Sequence, residues 1–205
     1  MKTKVKICGI RNLEAANVSM RAGADFLGFN LVSSSKRYIE PKAVREIVEK
    51  LPREIKIVGV FQNESMEDMK ELIDFLKLDF VQLHGSESYD YSALTQYAGV
   101  IKVLKFYQNN KFSDIEKEMK MYDVDYFLLD RPVQGEGAMV NLGMAAEISR
   151  KYKIFFAGGV SVENVGAIIE RVRPYAVDVA GGVESEGEMD LEKIQSFIEK
   201  VKGEV

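Results

Sequence analysis

The residues best suited to chemistry stand just after short apolar runs. Cys8, the only cysteine, closes Val5-Lys6-Ile7. A free thiol there is either a small buried hydrophobe or, where positive charge lowers its pKa, a thiolate able to act as base or nucleophile. Lys6 is two residues back and shares the side of Cys8 in an extended strand. Asp130 closes Tyr126-Phe127-Leu128-Leu129. It is either a turn cap or an acid whose partial burial raises its pKa. Arg37 lies in the serine-rich stretch Ser33-Ser34-Ser35-Lys36-Arg37-Tyr38, where a guanidinium can hold a carboxylate by two hydrogen bonds. Two glycine pairs, Gly158-Gly159 and Gly181-Gly182, follow further apolar runs. Amides at a helix start bind phosphate, and glycine lets the anion approach. One such pair reads as a tight turn; two in equivalent places favour phosphate. His84, the only histidine, ends Val81-Gln82-Leu83 and reads as a packed, hydrogen-bonded residue.

The elements that must position these groups alternate along the whole chain. Strands are expected at Val5–Gly9, Asp25–Phe29, Ile55–Phe61, Asp79–Leu83, Val100–Lys105, Tyr126–Leu129, Ile154–Ala157 and Ala176–Val179. A helical pattern follows each. Asn12, Ser113, Ser161 and Asp190 are expected as caps, Ser113 with Glu116 as a capping box, and Pro41 fits a first helical turn. Glu87–Tyr97 is expected to be helical. Strands joined by single helices run parallel. The units are evenly spaced, with no polar edge strand and no long crossover, which favours a closed (β/α)8 TIM barrel over an open sheet. The reading is α/β, one domain over residues 1–205. Active sites of that fold lie at the C-terminal strand ends, with phosphate after strands seven and eight. Strand eight closes beside strand one, so Asp178 can pair with Lys6 inside the barrel.

Composition narrows the partners. The net charge is -4, and no Lys/Arg run forms a basic patch for nucleic acid or an anionic membrane. No stretch of about 18 apolar residues suggests a membrane span. The first residues lack the apolar core of a signal peptide, so a cytoplasmic location is expected. A single Cys and a single His show no metal-ligand spacing, and no metal is expected. A monomer and a homodimer are both compatible with the sequence.

The ordered motifs are similar to those of the phosphoribosylanthranilate isomerases of tryptophan biosynthesis. Val5-Lys6-Ile7-Cys8-Gly9-Ile10 resembles that family's opening, and Gly23-Ala24-Asp25 through Gly28-Phe29 and Ser35-Lys36-Arg37-Tyr38-Ile39 its next block. Val58-Gly59-Val60-Phe61, Val81-Gln82-Leu83-His84-Gly85, Leu128-Leu129-Asp130 and Ala157-Gly158-Gly159-Val160 continue it. Arg173-Pro174, Val177-Asp178-Val179 and Gly182-Val183-Glu184 close it. The resemblance implies a (β/α)8 barrel of the ribulose-phosphate-binding type and a cofactor-free Amadori rearrangement of a phosphorylated aminosugar. It implies Cys8 as general base, Asp130 as general acid and Arg37 on the substrate carboxylate. Backbone amides near Gly158, Gly159, Gly181 and Gly182 are implied for the phosphate.

Three places depart from the family pattern. The loop after Asp130 reads Gln134-Gly135-Glu136-Gly137 before Val140-Asn141-Leu142, where the family has paired glycines and a Phe-Asp-Trp-like helix start. Ala180-Gly181-Gly182 replaces Ser-Ser-Gly, and Met189-Asp190 replaces Lys-Asp. All three lie toward the substrate end. They keep two alternatives open: a related isomerase of another phosphorylated aminosugar, or a non-catalytic barrel that binds a phosphoribosyl ligand.

Overall fold

The structure is a computed structural model describing residues 2–106, 110–131 and 141–203. Eight parallel strands close into a barrel in sequence order: β1 (Lys4–Cys8), β2 (Phe26–Asn30), β3 (Lys56–Phe61), β4 (Phe80–Leu83), β5 (Gly99–Lys105), β6 (Tyr126–Asp130), β7 (Ile154–Phe156) and β8 (Ala176–Val179). β1 closes on β8 with Lys6 opposite Asp178, and pairs β2 with Cys8 opposite Gly28. The helices are α1 (Leu13–Ala22), α2 (Pro41–Val48), α3 (Met66–Leu76), α4 (Phe112–Met119), α5 (Leu142–Ser149), α6 (Val165–Val172) and α7 (Leu191–Gly203). The expected TIM barrel is the fold observed.

Two apolar layers hold it. Side chains between strands and helices form the larger core, including Val5, Ile7, Phe29, Phe61, Leu129 and Phe197. A second cluster fills the barrel lumen, with Phe26, Val58, Ile101, Val103, Leu128, Phe155 and Ala176. Edge-to-face contacts of Phe26 with Phe80 and Phe155 plug its lower end, and Tyr126 stacks on Tyr175. Above this plug the lumen turns polar, and the site begins there.

Local chemistry sets most helix starts. The Asn12 carboxamide accepts the Ala15 amide at 2.8 Å, and the Ser65 hydroxyl accepts that of Asp68. Asp190 accepts the amides of Glu192 and Lys193. Tertiary contacts override two expected starts. α4 begins at Phe112 with Lys111 as N-cap, because Phe112, Ile115 and Met119 must all face the core; Ser113 is left inside the first turn and makes no capping box. α6 is preceded by Asn164 rather than Ser161: the Asn164 carboxamide accepts the Ser161 amide and donates to Gly159 O. The segment after β4 is a 3-10 helix over Tyr89–Gln96 instead of an α-helix from Glu87. Glu87 is taken up elsewhere, in a buried pair with Lys102 at 2.8 Å and in bonds from the Gly85 and Asn63 amides.

Candidate active site

A cavity of about 500 Å³ opens at the C-terminal ends of the strands. Cys8, Arg37, Asp130, Gly158, Gly159, Gly181 and Gly182 all line it, so every expected site residue converges on one space.

Cys8 stands at the end of β1, over the polar lumen. Lys6 below it is fully buried and donates to Asp178 at 2.7 Å. A Cβ at Gly28 would lie 2.9 Å from the Cys8 sulfur and 3.0 Å from Lys6 Nζ. The glycine therefore leaves thiol and ammonium the same pocket over β2. Burial works against the Lys6 charge, but Asp178 and Cys8 outweigh it and hold the ammonium above its ordinary pKa. Burial pushes the Cys8 thiol up by more than Lys6 beside it pulls it down. The free site thus holds a thiol next to a fixed cation, ready to stabilise a thiolate when one forms.

Asp130 ends β6. Its carboxylate accepts the Arg131 amide at 2.8 Å, yet burial dominates and raises its pKa to about 6. His84 Nε2 faces it at 3.8 Å. Burial lowers the His84 pKa, so the imidazole is neutral at pH 7 and the approach is no ion pair. The Gln82 amide nitrogen lies 3.3 Å from His84 Nδ1. His84 is therefore hydrogen-bonded, as expected, but it also lines the cavity. Gln82, almost fully buried, has a carboxamide oxygen with no partner among the described residues. The Glu87–Lys102 pair anchors this loop, since Lys102 also donates to Gly85 O.

The two glycine loops form one wall. Gly158 and Gly159 hold φ of 80° and 84°, the left-handed region that favours glycine. Gly181–Val183 make a 3-10 turn, and as its first two amides Gly181 and Gly182 lie outside its internal bonds. A Cβ at Gly182 would fall 2.0 Å from Val160 O, so the loops after β7 and β8 touch backbone to backbone. The Arg131 guanidinium reaches over Gly159, with Nη1 3.3 Å from where a Cβ would be. The wall offers backbone amides beside a cation, a setting for phosphate. Ala180 supplies no hydroxyl, and the backbone arrangement persists without one.

Arg37 comes from the loop after β2 and reaches over the loop after β1 to the segment after β8. Its Nε and Nη2 donate to the two Glu184 oxygens at 2.5 and 2.8 Å. A Cβ at Gly9 would sit 2.8 Å from Arg37 Cδ, so the side chain lies flat on the loop after β1. Glu184 opens a short hairpin, β9 (Glu184–Ser185) and β10 (Glu188–Met189), absent from the sequence-based reading.

Sequence reasoning located the thiol, the acid, the arginine and the glycine loops. It gave no role to Gly28, Gln82, Arg131 or Glu184. Gly28 and Glu184 stood inside quoted motifs, and Gln82 and His84 share one strand face by their spacing. The altered loop at Gln134–Gly137 lies outside the described residues.

Residues 5–200 match the family model of N-(5'-phosphoribosyl)anthranilate (PRA) isomerase. The chain belongs to this isomerase family. It is 40% identical over 206 aligned positions to the N-(5'-phosphoribosyl)anthranilate isomerase of Bacillus cereus, covering 97% of this chain and 98% of that one. The phosphoribosyl anthranilate isomerase of Thermotoga maritima superposes with a TM-score of 0.89 at 35% identity, covering 98% and 99% of the two chains. A phosphoribosyl anthranilate isomerase in complex with reduced 1-(o-carboxyphenylamino)-1-deoxyribulose 5-phosphate matches with a TM-score of 0.87 at 35% identity over the same shares. Relatives of this isomerase therefore share the whole barrel rather than a part of it.

Proposed function

We propose that this cavity converts N-(5'-phosphoribosyl)anthranilate to 1-(2-carboxyphenylamino)-1-deoxyribulose 5-phosphate, in a single (β/α)8 domain over residues 1–205. The reading rests above all on one observation: a carboxyl held up to about 6 and a thiol beside a buried ammonium line the same cavity. A non-catalytic binder has no need of such a matched acid and base.

In this reading Asp130 gives its proton to the ribose ring oxygen. The bond from C1 to that oxygen breaks as the anthranilate nitrogen forms a double bond to C1. The Cys8 thiolate then takes the proton from C2. The freed electron pair makes a C1–C2 double bond and neutralises the iminium nitrogen. Ketonisation at C2 with protonation of C1 completes the rearrangement. Protons alone balance the scheme, so no cofactor is consumed. Lys6 stabilises the thiolate as it forms, and Asp178 keeps Lys6 in place. Gly158, Gly159, Gly181 and Gly182 hold the phosphate with their amides, and Arg37 holds the anthranilate carboxylate. All these groups come from one chain, so a monomer or a homodimer serves equally.

The productive form carries Cys8 as thiolate and Asp130 as acid. The thiol titrates above its ordinary value and the acid near 6, so that form is a minority of the free enzyme at neutral pH. Loss of substrate fluorescence on adding the purified protein tests the reaction. Cys8→Ser and Asp130→Asn are each expected to lower kcat by about 10²–10⁴-fold, the usual worth of a positioned acid or base. A folded wild-type protein that leaves the substrate untouched would instead point to a different phosphorylated ligand. Rescue of a tryptophan auxotroph lacking the isomerase separates this substrate from another aminosugar.

A further inference from the structure

The Gly182-Val183-Glu184 motif ends on a residue that the reaction as described does not use. Glu184 is largely buried, with its side chain 7% exposed, and its two oxygens take Arg37 Nε and Nη2. That is the side edge of the guanidinium, matched as a fork to the carboxylate. Gly9 supports the aliphatic stem from below, and Gly181 approaches Nη2 closely enough that a Cβ there would be 3.3 Å away. The guanidinium is thus held along its side edge and by its stem. Nη1 has no hydrogen-bond partner among the described residues, and Arg37 lines the cavity. The Glu184 backbone is held in turn: Lys193 Nζ donates to Glu184 O at 3.1 Å, and Glu184 pairs with Met189 across the hairpin.

We propose that Glu184 is a positioning residue that fixes Arg37 so its end edge meets the carboxylate of an aryl amine, and so sets the preference for a carboxylated substrate. The inference rests on the reading of Arg37 given above. An unclamped arginine would sample many rotamers and lose much of that orientation on each encounter. Paired with Glu184, it recognises a second carboxylate through direction as well as charge: Lys36 lies 3.8 Å from the same Glu184 carboxylate, so the cluster keeps one positive charge and the clamp sets where the guanidinium presents its own.

The test compares two substrates, N-(5'-phosphoribosyl)anthranilate and the aniline analogue that lacks the carboxylate. Glu184→Gln is expected to raise KM for the first by about tenfold, the worth of one charge-assisted hydrogen bond, with a smaller change in kcat. On the aniline analogue kcat/KM is expected to stay within about twofold of wild type. The ratio of the two specificities therefore collapses. An unchanged KM on the carboxylated substrate, or an equal loss on both substrates, overturns the proposal. Should Glu184→Gln fail to fold, Glu184→Asp keeps the charge and withdraws it by one methylene; the same selective loss is expected, and an equal loss on both substrates overturns the proposal. A wild-type protein inactive on both would sink the parent reading of the site instead, so the two failures are distinguishable.

Discussion

At the lower, N-terminal end of the barrel Asp25, Asp79 and Asp125 each stand just before an even-numbered strand. Each accepts the amide of a residue on the preceding odd-numbered strand: Val5 at 2.8 Å, Ile57 at 2.9 Å and Val100 at 2.8 Å. Asp25 also takes Lys4 and Lys202, and Asp79 takes Lys56. At the upper end Asp130 is the last residue of its strand and, among the described residues, accepts one amide, with a neutral histidine for company. Burial acts on Asp25 and Asp130 alike. At Asp25 the bonds from Lys202, Lys4 and Val5 outweigh it and hold the carboxyl below its ordinary value. At Asp130 they do not, and the carboxyl rises to about 6. The same residue type, one residue before a strand or at its end, is a rivet in one place and, in the reaction proposed above, the proton donor in the other.

The largest expected effect comes from removing the upper acid. Asp130→Asn should lower kcat by about 10²–10⁴-fold while stabilising the fold at neutral pH. The sign follows from linkage. A carboxyl raised in the folded state costs stability as pH rises from its unfolded value toward 6, so the relief is absent near pH 4 and complete above about 7. The shift to about 6 sets an upper bound near 3 kcal/mol. Denaturant melts at pH 4 and pH 7.5 check this; equal stability of variant and wild type at both would contradict the raised pKa.

Next in size is the pair between the two ends. Lys6→Met should cost about 3–5 kcal/mol, because it leaves Asp178 buried and unpaired. Asp178→Asn added to it should recover much of that loss. The rate of Cys8 alkylation reports the chemical role separately. In the double variant the thiol should titrate at higher pH than in wild type, since the charge and hydrogen bond of Lys6 that pull it down together outweigh the Asp178 charge that pushes it up. A profile unchanged from wild type would remove Lys6 from the account of Cys8.

The smallest effect sharpens the contrast from below. Asp25→Asn should leave kcat/KM within about twofold and cost about 1–2 kcal/mol, with the exposed lysine partners discounted for screening. Asp25 is depressed in the folded state. Its contribution is present above its unfolded pKa and is lost as pH falls through the lower folded value. Urea midpoints of variant and wild type should therefore converge toward acid pH. A loss of turnover without a loss of stability would show that the lower end is more than a scaffold.

Much of this was legible from residue order. The strand ends show because apolar runs stop at Cys8, Asp130 and the glycine pairs, and a parallel barrel collects strand ends at one mouth. The Lys6–Asp178 pair was legible too, once strand eight was placed beside strand one. What stayed hidden depends on contacts distant in sequence. Ser113 looks like a cap until Phe112 must reach the core. Glu184 looks like a surface acid until Arg37, 147 residues earlier, lies across it. Gly28 is an ordinary strand glycine until the sulfur and the ammonium occupy the space its side chain would take. None of these has a local signal, because the partner is supplied by packing between elements.

The pH dependence of kcat/KM on N-(5'-phosphoribosyl)anthranilate tests the central claim most directly. The account predicts a bell with its acid limb near pH 6, from Asp130, and its alkaline limb above the ordinary thiol range, from Cys8. A profile flat from about pH 5 to 9, or one whose acid limb falls near the ordinary aspartate value of about 4, would contradict it.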